Sequence, residues 1–417
     1  MNVLQINTSD SKGGAAKNVY RFKKHLEELG HTTSLFVGYK FSNDKNVFLI
    51  NPRNTVLEIG SKIIKRNLTG YIRRKISYLK ANDIEGFEID KLFSSQEYKK
   101  ADIIHLRNLH GDYFNLKAIE KISKEKPVVW TMHDLWAITG HCAHPFDCQK
   151  WKSGCKSCPY LNTYPAIKWD NTEYLWNKKK EIYNNSKLNI VANSLWTKKK
   201  IEESILKNQN IYLIYNGVDT RVFRPYDKKE MRQKFNLPID KKIILFSAIG
   251  GKKNPFKGWQ YIEKVVLHYK NDKNILFLSI GGKKESQKFV NKIRYIKYIN
   301  EDSLLAQYYS AADILLYPSL ADTFGLVVAE SLACGTPVVA FKTGGIPEIV
   351  SHKKTGYIAD YKNFNDLING IEYVLTLTSN ETKEMSQNSI QRIQQKFTLE
   401  MMTSNYLNLY QKILKSI

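Results

Sequence analysis

Short, continuous apolar runs set between polar loops and helical patterns dominate this chain. They fall at Val3–Ile6, Thr33–Val37, Ile103–Leu106, Val128–Met132, Asn189–Ala192 and Tyr212–Tyr215. A second series follows at Ile243–Ser247, Ile275–Ile280, Ile314–Tyr317 and Val338–Phe341. The runs do not alternate apolar with polar, which is the pattern of parallel strands covered on both faces. Helical patterns between them make βαβ units. Two series of similar size predict an α/β fold of two doubly wound, Rossmann-like domains facing each other across a cleft. The turn-rich stretch Asn216-Gly217-Val218-Asp219, with Phe223-Arg224-Pro225 after it, lies between the series and marks the hinge. The first domain is therefore expected over residues 1–215 and the second over 216–400. The helical pattern of 401–417 is expected to pack back onto the first domain.

Composition narrows the class. At 417 residues, 42% hydrophobic and 25% charged, the chain is long enough for two cores. No apolar run approaches the roughly 20 residues a membrane span needs. The start, Met1 to Asn7, reads as a first strand rather than a signal peptide, so a cytoplasmic protein is expected. A net charge of +24 implies anionic partners or a lysine-rich composition spread over solvated faces. One segment is more particular. Ser61 to Lys80 holds seven basic residues and no acid, with Ile64, Leu68, Ile72, Ile76 and Leu79 at helical spacing. Such a helix suits an anionic membrane surface; the alternative is a core-facing helix with a solvated basic side.

In open α/β sheets ligands meet the carboxyl ends of strands, so the loops that follow strands carry the candidate chemistry. The segment Asp322-Thr323-Phe324-Gly325-Leu326 follows the run Ile314–Tyr317 and opens a helix containing Glu330. A helix start aims backbone N–H groups and a positive dipole end at one spot, which suits a phosphate. Carboxylates at Asp322 and Glu330 could grip the hydroxyls of a sugar and a ribose. Lys12-Gly13-Gly14 follows the first run, and paired glycines let backbone approach a ligand closely. Gly250-Gly251-Lys252-Lys253 and Lys257-Gly258 offer ammonium groups for a diphosphate. Lys257 stands at a helix start, against the dipole, which favours a functional role over a structural one. Gly281-Gly282-Lys283 is a less specific loop of the same kind. His110 and His133 sit at strand ends, and His133 is followed by Asp134.

Four of the five cysteines, Cys142, Cys148, Cys155 and Cys158, fall within seventeen residues. Cytoplasmic disulfides are rare, so a structural zinc is the sharper expectation and reduced, partly buried thiols the alternative.

Taken together, Gly13-Gly14, His133-Asp134, Asn193-Ser194, Asn216 to Asp219, Lys257-Gly258, Ala312-Asp313 and the segment from Asp322 to Pro337 occur in one order along the chain. That order resembles glycosyltransferase family 4, retaining enzymes of the GT-B fold. The Cys-rich insert with His110 looks like the branch that builds bacterial capsule, exopolysaccharide or O-antigen. The resemblance implies transfer from a UDP- or GDP-sugar to a lipid-linked saccharide at the inner face of the cytoplasmic membrane, with no metal or other cofactor in catalysis. It implies that Glu330 binds ribose hydroxyls and that Asp322 contacts the donor sugar. Phe324, Gly325 and Leu326 would present backbone N–H groups, Lys257 and Gly14 would meet the diphosphate, His133 would stand beside the reacting centre, and His110 would lie on the acceptor side.

Two positions depart from the family pattern. Asp322 stands where Glu is usual, and Gly251 where an Arg is common, leaving Lys252 or Lys253 as the second cation without a bidentate fork. Other readings are a GT-B epimerase or phosphorylase and a basic zinc-containing nucleic-acid-binding protein. No RNA-binding motif with interleaved aromatics stands out, so no nucleic-acid partner is expected.

Overall fold

The computed structural model describes residues 1–51, 68–247, 254–281 and 292–416. The chain divides into two compact units, Met1–Tyr215 with Thr403–Ile417, and Asn216–Met402.

The first unit holds a seven-stranded sheet: β1 (Asn2–Ser9), β2 (Thr32–Tyr39), β3 (Val47–Leu49), β4 (Ile103–Leu106), β5 (Val128–Met132), β6 (Asn189–Ala192) and β7 (Asn210–Leu213). Every pairing is parallel, in the order β3-β2-β1-β4-β5-β6-β7. The order reverses between β1 and β4, so the loops after those strands flank a crevice. Helix Gly14–Glu28 buries Val19, Phe22 and Leu26, one helical face at spacings of three and four. Each such side chain contributes about 1.5–3 kcal/mol on burial.

The segment from Thr403 to Leu414, the greater part of helix Leu399–Leu414, belongs to the first unit. It inserts polar groups into that unit's core. Thr403 Oγ1 lies 2.8 Å from His25 Nδ1, and the Tyr406 hydroxyl lies 2.8 Å from Thr131 Oγ1. The buried His105 ring bridges Thr131 Oγ1, at 2.7 Å, and the Tyr410 hydroxyl. Arg107, only 1% exposed, donates to Gln5 Oε1 at 3.0 Å and lies over the rings of Phe22 and Tyr406.

The second unit holds six parallel strands: β8 (Lys242–Ser247), β9 (Ile275–Ile280), β10 (Ile293–Ile296), β11 (Ile314–Tyr317), β12 (Val338–Phe341) and β13 (Gly356–Ala359). Their order is β10-β9-β8-β11-β12-β13, with the reversal between β8 and β11. Asp313 is a strut at the start of β11. Its carboxylate accepts from Arg232 at 2.6 Å, Lys228 at 3.0 Å and the Ile243 N–H at 2.7 Å.

Three strands differ from the apolar-run reading by their existence: β3, β10 and β13 are sheet edges and were not expected. β7, expected at Tyr212–Tyr215, lies at Asn210–Leu213. In the basic segment, residues 61–67 lie outside the described residues and helix Leu68–Lys80 is present. Ile72, Ile76 and Leu79 are 46%, 46% and 43% exposed, so the core-facing alternative fails for them. Among the described residues, no helix is long and apolar enough to cross a membrane.

Candidate functional site

In the second unit, two side chains close in sequence and one distant from them meet at the sheet's reversal point. Lys257 precedes helix Trp259–His268, and Tyr317 ends β11. Lys257 Nζ donates to the Tyr317 hydroxyl at 2.7 Å, and that hydroxyl donates to Asp322 Oδ2 at 2.6 Å. Lys257 and the same carboxylate oxygen are 3.5 Å apart. The loops are stitched by backbone: Leu320 N–H donates to Phe256 O at 2.7 Å, and Ser319 Oγ donates there at 2.9 Å. Gly258 permits this approach, with φ of +62° and no room for a Cβ, which would lie 1.9 Å from Pro318 O. Burial works against charge on Lys257, yet the Tyr317 hydroxyl and Asp322 carboxylate hold its pKa above the usual lysine value. Burial and Asp322 raise Tyr317 as well, so the hydroxyl keeps its proton. The result is a fixed ammonium group, 30% exposed.

Asp322 also accepts from the Phe324 N–H at 3.2 Å, tying its side chain to the turn that opens helix Leu326–Ala333. Phe324 is 1% exposed and packs on Phe397, so its side chain is not available to a ligand, and its N–H is already engaged by Asp322. Gly325 caps the helix with φ of +97°, and the first N–H groups of any helix lack acceptors within it. Glu330, just over one turn in, is 3% exposed and accepts from the Tyr309 hydroxyl at 3.2 Å. Gly250, Gly251, Lys252, Lys253, Gly282 and Lys283 lie outside the described residues.

In the first unit, the loops after β1, β4 and β5 bring a second group together. His110 is 5% exposed, its Nε2 lies 2.7 Å from Asp134 Oδ2, and its Nδ1 lies 3.2 Å from the Tyr164 hydroxyl. Burial disfavours the charged ring, but Asp134 outweighs it and raises the His110 pKa. Burial would raise Asp134; the His110 ring and the Trp136 N–H instead hold it below its ordinary value. The sequence places Asp134 beside His133, yet the carboxylate hydrogen-bonds to His110. Burial, with the Arg107 guanidinium, pushes His133 down to about 3, so its imidazole is neutral at physiological pH. Gly14 begins helix Gly14–Glu28, and a Cβ there would meet nothing within 4 Å.

Cys142, Cys148, Cys155 and Cys158 line one small cavity together with His141. All are free thiols; burial pushes Cys142 up to about 12 and Cys155 up to about 11. Among the described residues, no three His, Cys, Asp or Glu side chains are grouped, as they stand, to hold a metal ion. Buried Lys179 fastens the same loop, donating to the carbonyls of Trp136, Thr139 and Gly140 at 2.7, 3.1 and 3.2 Å.

Sequence reasoning missed Tyr317, Tyr309 and Tyr164. For Tyr317 a signal existed: a polar-tipped residue ending an otherwise apolar buried strand. His141 gave no signal of its own in the sequence, because its carbonyl partner, Pro165, lies 24 positions away.

Comparison with known proteins places this geometry among relatives. A family model described as Glycosyltransferase Family 4 matches residues 12–222, and one described as Glycosyl transferases group 1 matches residues 227–392. The chain is 23% identical over 430 residues to WcaC, a glycosyl transferase assigned to colanic acid biosynthesis in Escherichia coli K12, across 99% of this chain and 100% of that one. Sucrose-phosphate synthase from Thermosynechococcus elongatus superposes with a TM-score of 0.68 at 20% identity, over 100% of this chain and 99% of that one. HepE from Anabaena, solved with UDP-glucose, gives 0.64 at 16% identity over 100% and 99%.

Proposed function

Because the chain belongs to Glycosyltransferase Family 4, we propose that it moves a sugar from a UDP- or GDP-sugar to a lipid-linked saccharide in bacterial surface polysaccharide synthesis. It is a group 1 glycosyltransferase of the GT-B fold, with two parallel-sheet, Rossmann-like units. The finer reading is retention at the anomeric carbon with no metal ion at the reacting centre. Retention is what the family resemblance implies; the observation that carries the donor site is the Lys257–Tyr317–Asp322 chain beside the start of helix Leu326–Ala333.

In this reading the bond from the sugar's anomeric carbon to the diphosphate breaks and a bond to the acceptor oxygen forms on the same face. The acceptor's proton leaves with the diphosphate. Lys257 and the helix-start N–H groups stabilise the charge that develops on the departing phosphate. Asp322 holds Lys257 in place through Tyr317 and takes sugar hydroxyls, and Glu330 takes those of the ribose. A neutral His133 serves beside the anomeric carbon as a hydrogen-bonding group, without adding a charge. His110, oriented by Asp134, is assigned to the acceptor.

The test is a thermal-shift screen of nucleotide-sugars. A ligand that binds only the folded state raises the midpoint as its concentration rises. Uridine donors come first, since HepE is solved with UDP-glucose; a screen in which no UDP- or GDP-sugar moves the midpoint counts against the reading. Product analysis with and without acceptor separates transfer from epimerisation and phosphorolysis, and the anomeric configuration of the product decides retention.

The exposed apolar side of helix Leu68–Lys80, with Lys75 and Lys80 exposed on the same helix, supports a peripheral position on the anionic inner face of the cytoplasmic membrane. Trp169, 49% exposed, donates from Nε1 to Leu79 O at 3.1 Å and extends that surface. Replacing both Ile76 and Leu79 by Glu is expected to lower binding to phosphatidylglycerol vesicles by roughly tenfold or more, since two exposed aliphatic side chains that would enter the bilayer are lost. Unchanged sedimentation with the vesicles would remove this surface from the account.

A further inference from the structure

We propose that the loop between Thr139 and Pro165 closes around one zinc ion held by His141, Cys142, Cys155 and Cys158. These side chains line a cavity of about 10 Å³, close to the room one water-sized particle needs.

His141 gives the sharpest indication. It is fully buried, and its Nδ1 lies 2.7 Å from the carbonyl oxygen of Pro165. A carbonyl only accepts, so Nδ1 carries the proton and Nε2 presents a lone pair, the arrangement usual for a zinc-binding imidazole. That Nε2 lies 3.5 Å from Cys158 Sγ. Tetrahedral zinc, with legs of about 2.3 Å to sulfur and about 2.0–2.1 Å to nitrogen, sets adjacent S and N ligands about 3.5 Å apart. One edge of the tetrahedron is thus already present.

Burial disfavours charge on the sulfurs, and two backbone N–H groups oppose that effect. The Gly140 N–H donates to Cys155 Sγ at 3.2 Å, and the Tyr160 N–H donates to Cys158 Sγ at 3.4 Å. Cys142, 6% exposed, lines the same cavity. Binding would displace one proton from each of three thiols. Three thiolates and one zinc ion carry a net charge of −1. Lys179, fastened to the carbonyls of Thr139 and Gly140 just before His141, supplies the opposite charge in a buried place. The cysteines stand as free thiols around one cavity, and the ion would draw them and His141 inward. Cys148 lines the same cavity, and His141 is preferred to it as the fourth ligand because its Nε2 already stands at ligand spacing from Cys158 Sγ.

The ion would also have a task in the loop. His141 is bonded to Pro165, and the Ala143 N–H donates to Tyr164 O at 2.9 Å. Fixing this end would hold the Tyr164 hydroxyl against His110.

Protein from zinc-supplemented culture is expected to carry about one zinc per chain by plasma mass spectrometry, as a closed structural site holds its metal through purification. Cys158→Ser and His141→Ala should lose it, and Cys148→Ser should keep it. A wild-type content below roughly a tenth of an equivalent overturns the site without any variant. Loss in Cys148→Ser with retention in His141→Ala overturns the donor set. Should the variants fail to fold, the wild-type protein still decides: chelation should release the metal and lower its thermal midpoint, and an unchanged midpoint after the metal is gone refutes the structural role. None of these measurements depends on sugar transfer.

Discussion

Lys257→Ala is expected to lower sugar transfer by about 10²–10³-fold, the cost of removing one preorganised group that stabilises developing charge. The fold should survive. The side chain is 30% exposed and, among the described residues, hydrogen-bonds to Tyr317 and Asp322, whose mutual hydrogen bond of 2.6 Å does not need it. The loss should appear in kcat more than in KM, because the phosphate gains charge as the bond breaks. Lys257→Arg tests the geometry: a planar fork cannot reproduce a point charge seated on one hydroxyl. Steady-state kinetics with the donor found by thermal screening, beside an unchanged melting curve, is the measurement. Full activity in Lys257→Ala would remove the chain of three side chains from the mechanism.

Gly344→Ala should produce the largest loss of stability. Gly344 has φ of +53°, and an added Cβ would lie 1.6 Å from Asp322 O. That oxygen is backbone, so nothing flexible can give way. Left-handed strain and the forced shift of the loop together cost about 2–4 kcal/mol. Denaturant midpoints at unchanged m-value would report it. The displaced peptide carries Asp322, so transfer should fall with stability. Gly14→Ala is the contrast: its Cβ meets nothing within 4 Å, and stability should hardly change. A wild-type midpoint for Gly344→Ala would mean that the Asp322 loop yields at no cost.

The interior of both sheets was legible from apolar runs. Ile103–Leu106, Val128–Met132, Ile314–Tyr317 and Val338–Phe341 are strands with those bounds, because strands covered on both faces are apolar throughout. The edges were not. Ile293–Ile296 reads Ile-Arg-Tyr-Ile and Gly356–Ala359 begins with glycine, so neither shows a run, and pairing with a neighbour makes them strands. The candidate site was legible residue by residue but not as an arrangement. Lys257 and Asp322 are 65 positions apart, and only the parallel pairing of β8 with β11 brings their loops together. The partner of Asp134 was misleading in the sequence. Adjacent residues at a strand end point apart, and the carboxylate meets a histidine 24 positions upstream.

The segment that carries Tyr406 and Tyr410 has a bearing on how the chain is made. The first unit is interrupted, and the 187 residues of Asn216–Met402 must leave the ribosome before Thr403 can follow. At 5–20 residues per second that is a wait of roughly 10–40 s. Through it His105, Thr131 and Arg107 lack the hydroxyls and ring that later cover them. The second unit is one uninterrupted segment, complete before those tyrosines are made. Order of birth and order of completion are therefore opposite in this protein: the unit begun first is finished last.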